Sequence, residues 1–420
     1  MPEKLKDGDL IEVKVNSDII KGTLMPSTRS TLVLKLENGY NIGIETKKIK
    51  SVKLLKKLEK KEKILEKIQP EKNLKNILIL HTGGTLASKV DYKTGGVSAK
   101  FEPEEIVQMF PELKKIVNIK SKLLFNIFSE DMDFSRYKKM AREIYNNAGK
   151  FDGIILTHGT DTLHYTSSAL AFMLENLHIP VVLVGAQRSS DRGSSDAFLN
   201  LFCAANFIAK VDFAGVGICM HASSSDDSCF ILPPCKTRKM HTSRRDAFKV
   251  INGEIIAKIS KEGDILELAK IPEKTGKLVL RDKLEEKTGI LRFYPNMNKK
   301  QINSFNGYKG IVMEGTGLGH VASDKLIMDS IRSLIKSGTI VVMVSQCIFG
   351  RVNMNVYSTG RKLLDMGVIP GEDMTTETAY IKLAWLLGNY KKNEVISLIS
   401  KNLRGEISER SVYEEKFIEF

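Results

Sequence analysis

Two short segments set hydroxyl side chains and glycines directly behind apolar runs. In the first, Ile77-Leu78-Ile79-Leu80 leads into His81-Thr82-Gly83-Gly84-Thr85. In the second, Gly153-Ile154-Ile155-Leu156 leads into Thr157-His158-Gly159-Thr160-Asp161-Thr162. Paired glycines open backbone conformations closed to other residues and let a ligand approach closely. Thr85 then offers an alcohol. A neutral alcohol is a poor nucleophile until a base stands beside it. Thr160 and Asp161 supply polar neighbours, but an aspartate alone is a weak base near neutrality; a lysine whose pKa falls on burial suits the task. Composition does not single out one lysine. Phosphate binding is the rival chemistry, yet no G-x-x-x-x-G-K-[ST] is present and no lysine follows the glycines. Gly315-Thr316-Gly317-Leu318-Gly319-His320 carries histidine where a dinucleotide fingerprint needs glycine, so tight strand-to-helix packing is expected there. His81, His158, His164 and His241 lack zinc-site spacing and read as structural.

Such loops need rigid elements behind them. From about 73 to 272, apolar strands (76–80, 123–128, 153–157, 181–185, 215–220) alternate with helical patterns (135–147, 162–176, 194–209). This alternation predicts βαβ units and a parallel sheet covered on both faces, with ligands at the carboxyl ends of its strands. A charged stretch at 273–288 separates a second, smaller α/β domain at 289–420, with strands at 289–294, 310–314 and 339–345 and helices near 323–336, 359–366 and 377–388. Residues 1–55 read as short strands (Asp9 to Val15, Ile19 to Leu24, Thr31 to Leu36, Tyr40 to Ile44) with a hairpin signal at Glu37-Asn38-Gly39. A small closed or nearly closed β-barrel with a binding or docking task is expected. Residues 56–72 read as a solvated helical linker, with Leu54, Leu58, Leu65 and Ile68 on one face and Glu59 paired to Lys63.

The chain has 420 residues, 42% hydrophobic and 27% charged, which suits a soluble protein of two or three domains. No secretory signal pattern opens it and no apolar run is long enough to cross a bilayer. Five cysteines without metal-ligand spacing suggest a reducing, cytoplasmic setting. A net charge of +14 fits either solvated basic surfaces or a polyanionic partner such as RNA.

Several segments carry a resemblance. His81 through Ser88 resembles the TGGTIAS loop of bacterial-type L-asparaginases, Thr157 through Thr162 matches their HGTDT loop, and Val182-Leu183-Val184-Gly185-Ala186-Gln187-Arg188 resembles their VVGAMR segment. The similarity runs from about 75 to 420. It implies amide hydrolysis through an acyl-enzyme, with Thr85 as nucleophile, Tyr92 beside it, and Thr160, Asp161 and a lysine as the second polar group. Arg238-Lys239-Met240-His241-Thr242 aligns with the family's T-K-T-N-T stretch, which makes Lys239 the lysine, since Phe248 then keeps the family's spacing; Lys236-Thr237 is the competing match. Ser129-Glu130-Asp131-Met132 resembles the substrate-gripping S-Q-D-M segment, so Ser129, Glu130 and Asp161 are implied to hold the α-carboxylate and α-ammonium. The family places active sites where two protomers meet.

Residues 1–72 and the run Arg238 to Phe248 are in addition similar to the D-subunit family of archaeal-type glutamyl-tRNA(Gln) amidotransferases. That resemblance implies release of ammonia from glutamine or asparagine, a partner E subunit that binds Glu-tRNA(Gln) and uses ATP and Mg, a homodimeric core within a heterotetramer, no membrane association, and no cofactor or metal in this chain. A stand-alone L-asparaginase and a non-catalytic RNA-binding scaffold are the alternatives. The extra N-terminal domain speaks against the first, and the intact Thr85, Thr160, Asp161 and Lys239 against the second.

Overall fold

The computed structural model describes residues 5–36, 41–57, 70–84, 111–188, 195–271 and 276–411, together with the backbone of 89–90 and 97–98. Its centre is an eight-stranded sheet. Five parallel strands lie in the order Gly215–His221, Pro180–Val184, Gly153–Thr157, Asn76–Gly83, Asn118–Ile127, and three antiparallel strands, Ser228–Leu232, Ala257–Ser260 and Ile265–Leu268, extend it beyond Gly215–His221. The four inner parallel strands answer the expectation from their continuous apolar runs, whereas the edge strand Asn118–Ile127 begins ahead of the expected 123–128, where lysines alternate with other residues and hide it. The antiparallel extension is not legible in the sequence, because its strands are four or five residues long and carry no helix between them.

Side-chain alternation gives each central strand two buried faces. Leu78, Leu80, Ile154, Leu156, Val181 and Leu183 point into one core, while Ile77, Ile79, Ile155, Val182 and Val184 point into the other. The first core is covered by the helices Phe134–Asn147 and Leu163–Met173, the second by Ala197–Lys210. The helix Phe134–Asn147 buries Tyr137, Met140, Ala141 and Ile144, a single stripe at helical spacing, and starts where Asp133 accepts a hydrogen bond from the Arg136 N–H.

Strand order turns back on itself at Asn76–Gly83. This strand is followed in the chain by its neighbour on one side, Asn118–Ile127, and then by its neighbour on the other, Gly153–Thr157. At such a reversal, loops leave in opposite directions and open a crevice at the carboxyl ends of the strands. The glycine pair, Ser129, the Thr157–Asp161 segment and Gly185–Arg188 all lie at or just beyond those ends.

The second domain is a four-stranded parallel sheet ordered Thr288–Arg292, Gly310–Gly315, Ile340–Ser345, Ile369–Pro370. Helix Thr376–Asn389 joins the two domains: its Trp385 is fully buried and stacks on Phe172 with ring centroids 5.4 Å apart. After strand Gly310–Gly315 the glycine-rich segment closes on itself. Thr316 and His320 exchange backbone hydrogen bonds, and Gly317 and Gly319 sit at φ +50° and +98°. It is a tight turn rather than a phosphate cradle.

The N-terminal domain is a five-stranded antiparallel sheet ordered Asn41–Glu45, Thr31–Lys35, Asp18–Met25, Leu10–Val15, Ile49–Lys56, around Ile11, Val13, Leu24, Leu34 and Ile44. The fifth strand corrects the linker assignment at its amino end: Leu54 pairs with Ile11 in the sheet instead of lining a helix. Its lysines make 49–56 look like the start of the charged run, whereas Val52 and Leu54 alternate inward. The remainder of the expected helix, 58–69, lies outside the described residues.

Candidate active site

The short strand Thr237–Lys239 pairs with Phe248–Val250, and Lys239 stands opposite Phe248. Neighbouring side chains on a strand leave on opposite faces. Arg238 accordingly bonds Glu377 at 3.1 Å, while Lys239 turns to the Thr157–Thr162 loop. Its Nζ lies 2.8 Å from both Thr160 Oγ1 and Asp161 Oδ1. The Lys239 side chain is 9% exposed and the Asp161 side chain 67%. An ion pair so open to water on one side adds little stability, at most about 1 kcal/mol. Its value lies in where it holds the amine. The competing Lys236 is engaged elsewhere: its Nζ is 2.6 Å from Asp373 Oδ2 and 3.1 Å from Ser408 Oγ, among buried groups.

Three backbones converge beside this triad of Thr160, Asp161 and Lys239. Gly83 and Gly84 have φ of +101° and +80°, and Gly84 N–H donates to Ile127 O at 3.2 Å. A Cβ on Gly84 would lie 2.4 Å from Gly159 N, and one on Gly159 would lie 2.8 Å from Ser129 Cβ. The three loops therefore touch through glycine. Gly84→Ala should drive the loops apart and impose a strained backbone, costing about 2 kcal/mol or more of stability and most of any activity. Unchanged melting and turnover in that variant would contradict the packing.

Ser129 is buried on the turn Ser129–Asp131, where its Oγ accepts from Asp161 N–H at 3.2 Å and its carbonyl accepts from Thr162 Oγ1 at 2.6 Å. Glu130, on the same turn, is exposed. The structure thus brings Thr160, Asp161, Lys239 and Ser129 together, with Glu130 one residue away. Thr85 and Tyr92 lie outside the described residues; Gly84, to which Thr85 is bonded, is at the contact. Gln187 does not stand out in the sequence. Thr160 Oγ1 donates to its Oε1 at 3.4 Å. Its one signal there is membership of the VVGAMR-like segment.

Two buried histidines lock the loop bases. His81 Nδ1 meets Thr157 Oγ1 at 3.1 Å. His158 Nδ1 lies 2.6 Å from Gly159 O, an acceptor only, so the proton sits on Nδ1 and Nε2 accepts from Thr166 Oγ1 at 2.8 Å. Burial pulls His81 and His158 down to about 4 from an ordinary 6.5. Burial first, then the nearby Arg238, Lys239 and His158, takes His164 to about 3. Because the folded values are the lower ones, the unfolded chain binds more protons between roughly pH 4 and 6.5, and stability is lost as pH falls through that window. Going from pH 7 to 5 should cost roughly 2 kcal/mol for each of these histidines, read as a falling melting temperature. A flat melting temperature over that range would contradict their neutral burial.

Comparison with known proteins places this geometry. Residues 76–271 match the family model "Asparaginase, N-terminal", 287–399 match "Glutaminase/Asparaginase C-terminal domain", and 5–55 match "GatD N-terminal domain". A glutamyl-tRNA(Gln) amidotransferase D subunit from Pyrococcus furiosus is 48% identical over 96% of this chain and 93% of its own length, and one from Archaeoglobus fulgidus is 44% identical over 98% of each. Among solved structures, the thermostable L-asparaginase from Thermococcus kodakarensis superposes with a TM-score of 0.72 at 30% identity, covering 80% of this chain and all of that one. With near full-length similarity to named relatives and all three family models in order along it, the chain belongs to the D-subunit family of archaeal glutamyl-tRNA(Gln) amidotransferases.

Proposed function

We propose that this chain is the amidohydrolase subunit of a tRNA-dependent amidotransferase. It releases ammonia from glutamine or asparagine, and a partner E subunit consumes that ammonia in converting Glu-tRNA(Gln) to Gln-tRNA(Gln). The observation that carries this reading is the amine of Lys239 held at 2.8 Å from both Thr160 and Asp161, beside the Gly84–Gly159 contact.

Thr85 Oγ attacks the side-chain amide carbon, its proton passing to the Thr160–Lys239 pair with Tyr92 assisting. Negative charge grows on the amide oxygen, where backbone N–H groups of the glycine loops stabilise it; one such donor is typically worth about 3–4 kcal/mol. The carbon–nitrogen bond breaks as the proton returns to nitrogen, leaving an ester on Thr85 and free ammonia. Water then cleaves the ester by the same proton route, and glutamate or aspartate departs. Substrate is held by its α-groups. Ser129 Oγ already accepts from Asp161 N–H, which leaves its own hydrogen for a carboxylate. Asp161, anchored through Oδ1, offers Oδ2 to an ammonium, and Glu130 adds a second acidic oxygen.

No cofactor belongs to this chain in the scheme; ATP and Mg act at the partner E subunit. The active unit is a heterotetramer, a homodimeric core joined to two copies of that partner, working in the cytoplasm; Glu-tRNA(Gln) binds mainly through the partner. No helix among the described residues is long and apolar enough to cross a membrane.

The test is ammonia release from glutamine and asparagine by the purified chain, alone and with the E subunit, ATP and Glu-tRNA(Gln). Release that rises with the whole assembly is expected. Equal rates in isolation would point to a free-standing asparaginase, and no release under any condition would overturn the hydrolytic reading.

A further inference from the structure

Gln187 is built into the site more firmly than a surface amide would be. It follows strand Pro180–Val184, and its backbone is clamped: Gln187 N–H and Arg188 N–H each donate at 3.0 Å to one oxygen of Asp196, a fully buried carboxylate. Asn200 ties the same carboxylate at 3.3 Å and the carbonyl of Gly185 at 3.0 Å. From this fixed base the Gln187 side chain sets Oε1 against Thr160 Oγ1, while its Nε2 is buried without a hydrogen-bond partner among the described residues. A buried, unpartnered amide nitrogen costs about 1–3 kcal/mol. Methionine, which the VVGAMR pattern carries at this point, would fill similar space without that cost. The carboxamide therefore calls for a role that an apolar side chain cannot perform.

We propose that Gln187 is a positioning residue that sets the direction of the Thr160 hydroxyl hydrogen; this rests on the amidohydrolase reading above. A threonine hydroxyl has one hydrogen and two lone pairs. Lys239 occupies one lone pair at 2.8 Å. With the hydrogen directed to Gln187 Oε1, it is held away from Lys239, and Thr160 rests as a neutral alcohol with no onward route for a second proton. Rotating the carboxamide by half a turn presents Nε2 instead. Nε2 then fills one lone pair, the Thr160 hydrogen turns to the uncharged amine of Lys239, and the remaining lone pair takes the proton of the attacking alcohol as Thr160 hands its own to Nζ. Amide hydrolysis runs through this second setting in both directions, the proton returning from Nζ by way of Thr160 to the nitrogen that leaves as ammonia. The 3.4 Å contact is long for a hydroxyl donor, as catalytic hydrogen bonds often are before substrate fills the cleft.

The test uses the full chain with its E subunit, assayed for ammonia release, with Gln187→Leu, Gln187→Met, Gln187→Glu, Thr160→Val and the Thr160→Val/Gln187→Leu pair. Gln187→Leu and Gln187→Met should lower kcat about 10- to 100-fold with KM nearly unchanged. Gln187→Glu should regain turnover as pH falls and the carboxyl group gains a proton, since only the protonated acid can both accept and donate. Adding Gln187→Leu to Thr160→Val should cost nothing further. Normal kcat in both apolar variants, or a full additional loss in the Thr160→Val background, would overturn the inference while leaving the amidohydrolase reading in place. Normal turnover in Thr160→Val alone would instead overturn the reading on which it rests.

Discussion

Replacing Lys239 with methionine should lower ammonia release by about 10³-fold or more while the protein stays folded. The side chain keeps its unbranched stem and loses the terminal amine and its charge. Thr160 loses the donor at 2.8 Å, and Asp161 loses the cation that holds its Oδ1. The stability cost is small because Asp161 is open to water and relaxes into it. Lys236→Met is the matched comparison. It strands the buried Asp373 carboxylate, with only the 3.7 Å contact to Arg351 left as a charged partner among the described residues, and should cost about 3 kcal/mol of stability with turnover per folded molecule retained. Melting curves and specific activities separate the two. Loss of turnover in Lys236→Met with normal turnover in Lys239→Met would assign the catalytic lysine the other way.

Replacing Thr85 with valine should have the larger effect, about 10⁴-fold or more in kcat, since it removes the oxygen proposed to attack and keeps the side-chain shape. Substrate affinity should survive, because in the proposed scheme the α-groups are held by Ser129, Glu130 and Asp161, none of which is altered. The expected pair of results is no measurable ammonia and a near-normal dissociation constant for asparagine or glutamine by calorimetry. Near-normal turnover would remove Thr85 from the nucleophile's role. Loss of binding together with turnover would mean that the residue shapes the pocket instead.

The parts of this protein that are legible in its sequence are those with one dominant physical signal. Ile77–Leu80, Ile154–Leu156 and Val181–Val184 are apolar on both faces, and only a sheet covered on both sides buries them all. The strand Ile49–Lys56 is hidden by its lysines, and the antiparallel strands from Ser228 to Leu268 by their shortness. In the site, Thr160 and Asp161 stand out by type and spacing, whereas Lys239 needs family resemblance to separate it from its neighbours. The fold supplies the missing reason: Lys236 is spent on Asp373, and strand alternation sends Arg238 away from the cleft. Gln187 escapes a reading of the sequence because its contact with Thr160 is made between loops following different strands, and nothing in a linear pattern records it.

The central claim, that an alcohol bonded to the glycine pair attacks a side-chain amide with the Lys239–Thr160 pair managing its proton, is tested most directly by acid-quenching the enzyme during turnover of asparagine or glutamine and mapping the acylated peptide by mass. An aspartyl or glutamyl ester on Thr85, abolished in Thr85→Val and slow to form in Lys239→Met, is the predicted result. An ester on Thr160 or any other residue, or steady ammonia release from Thr85→Val, would contradict it.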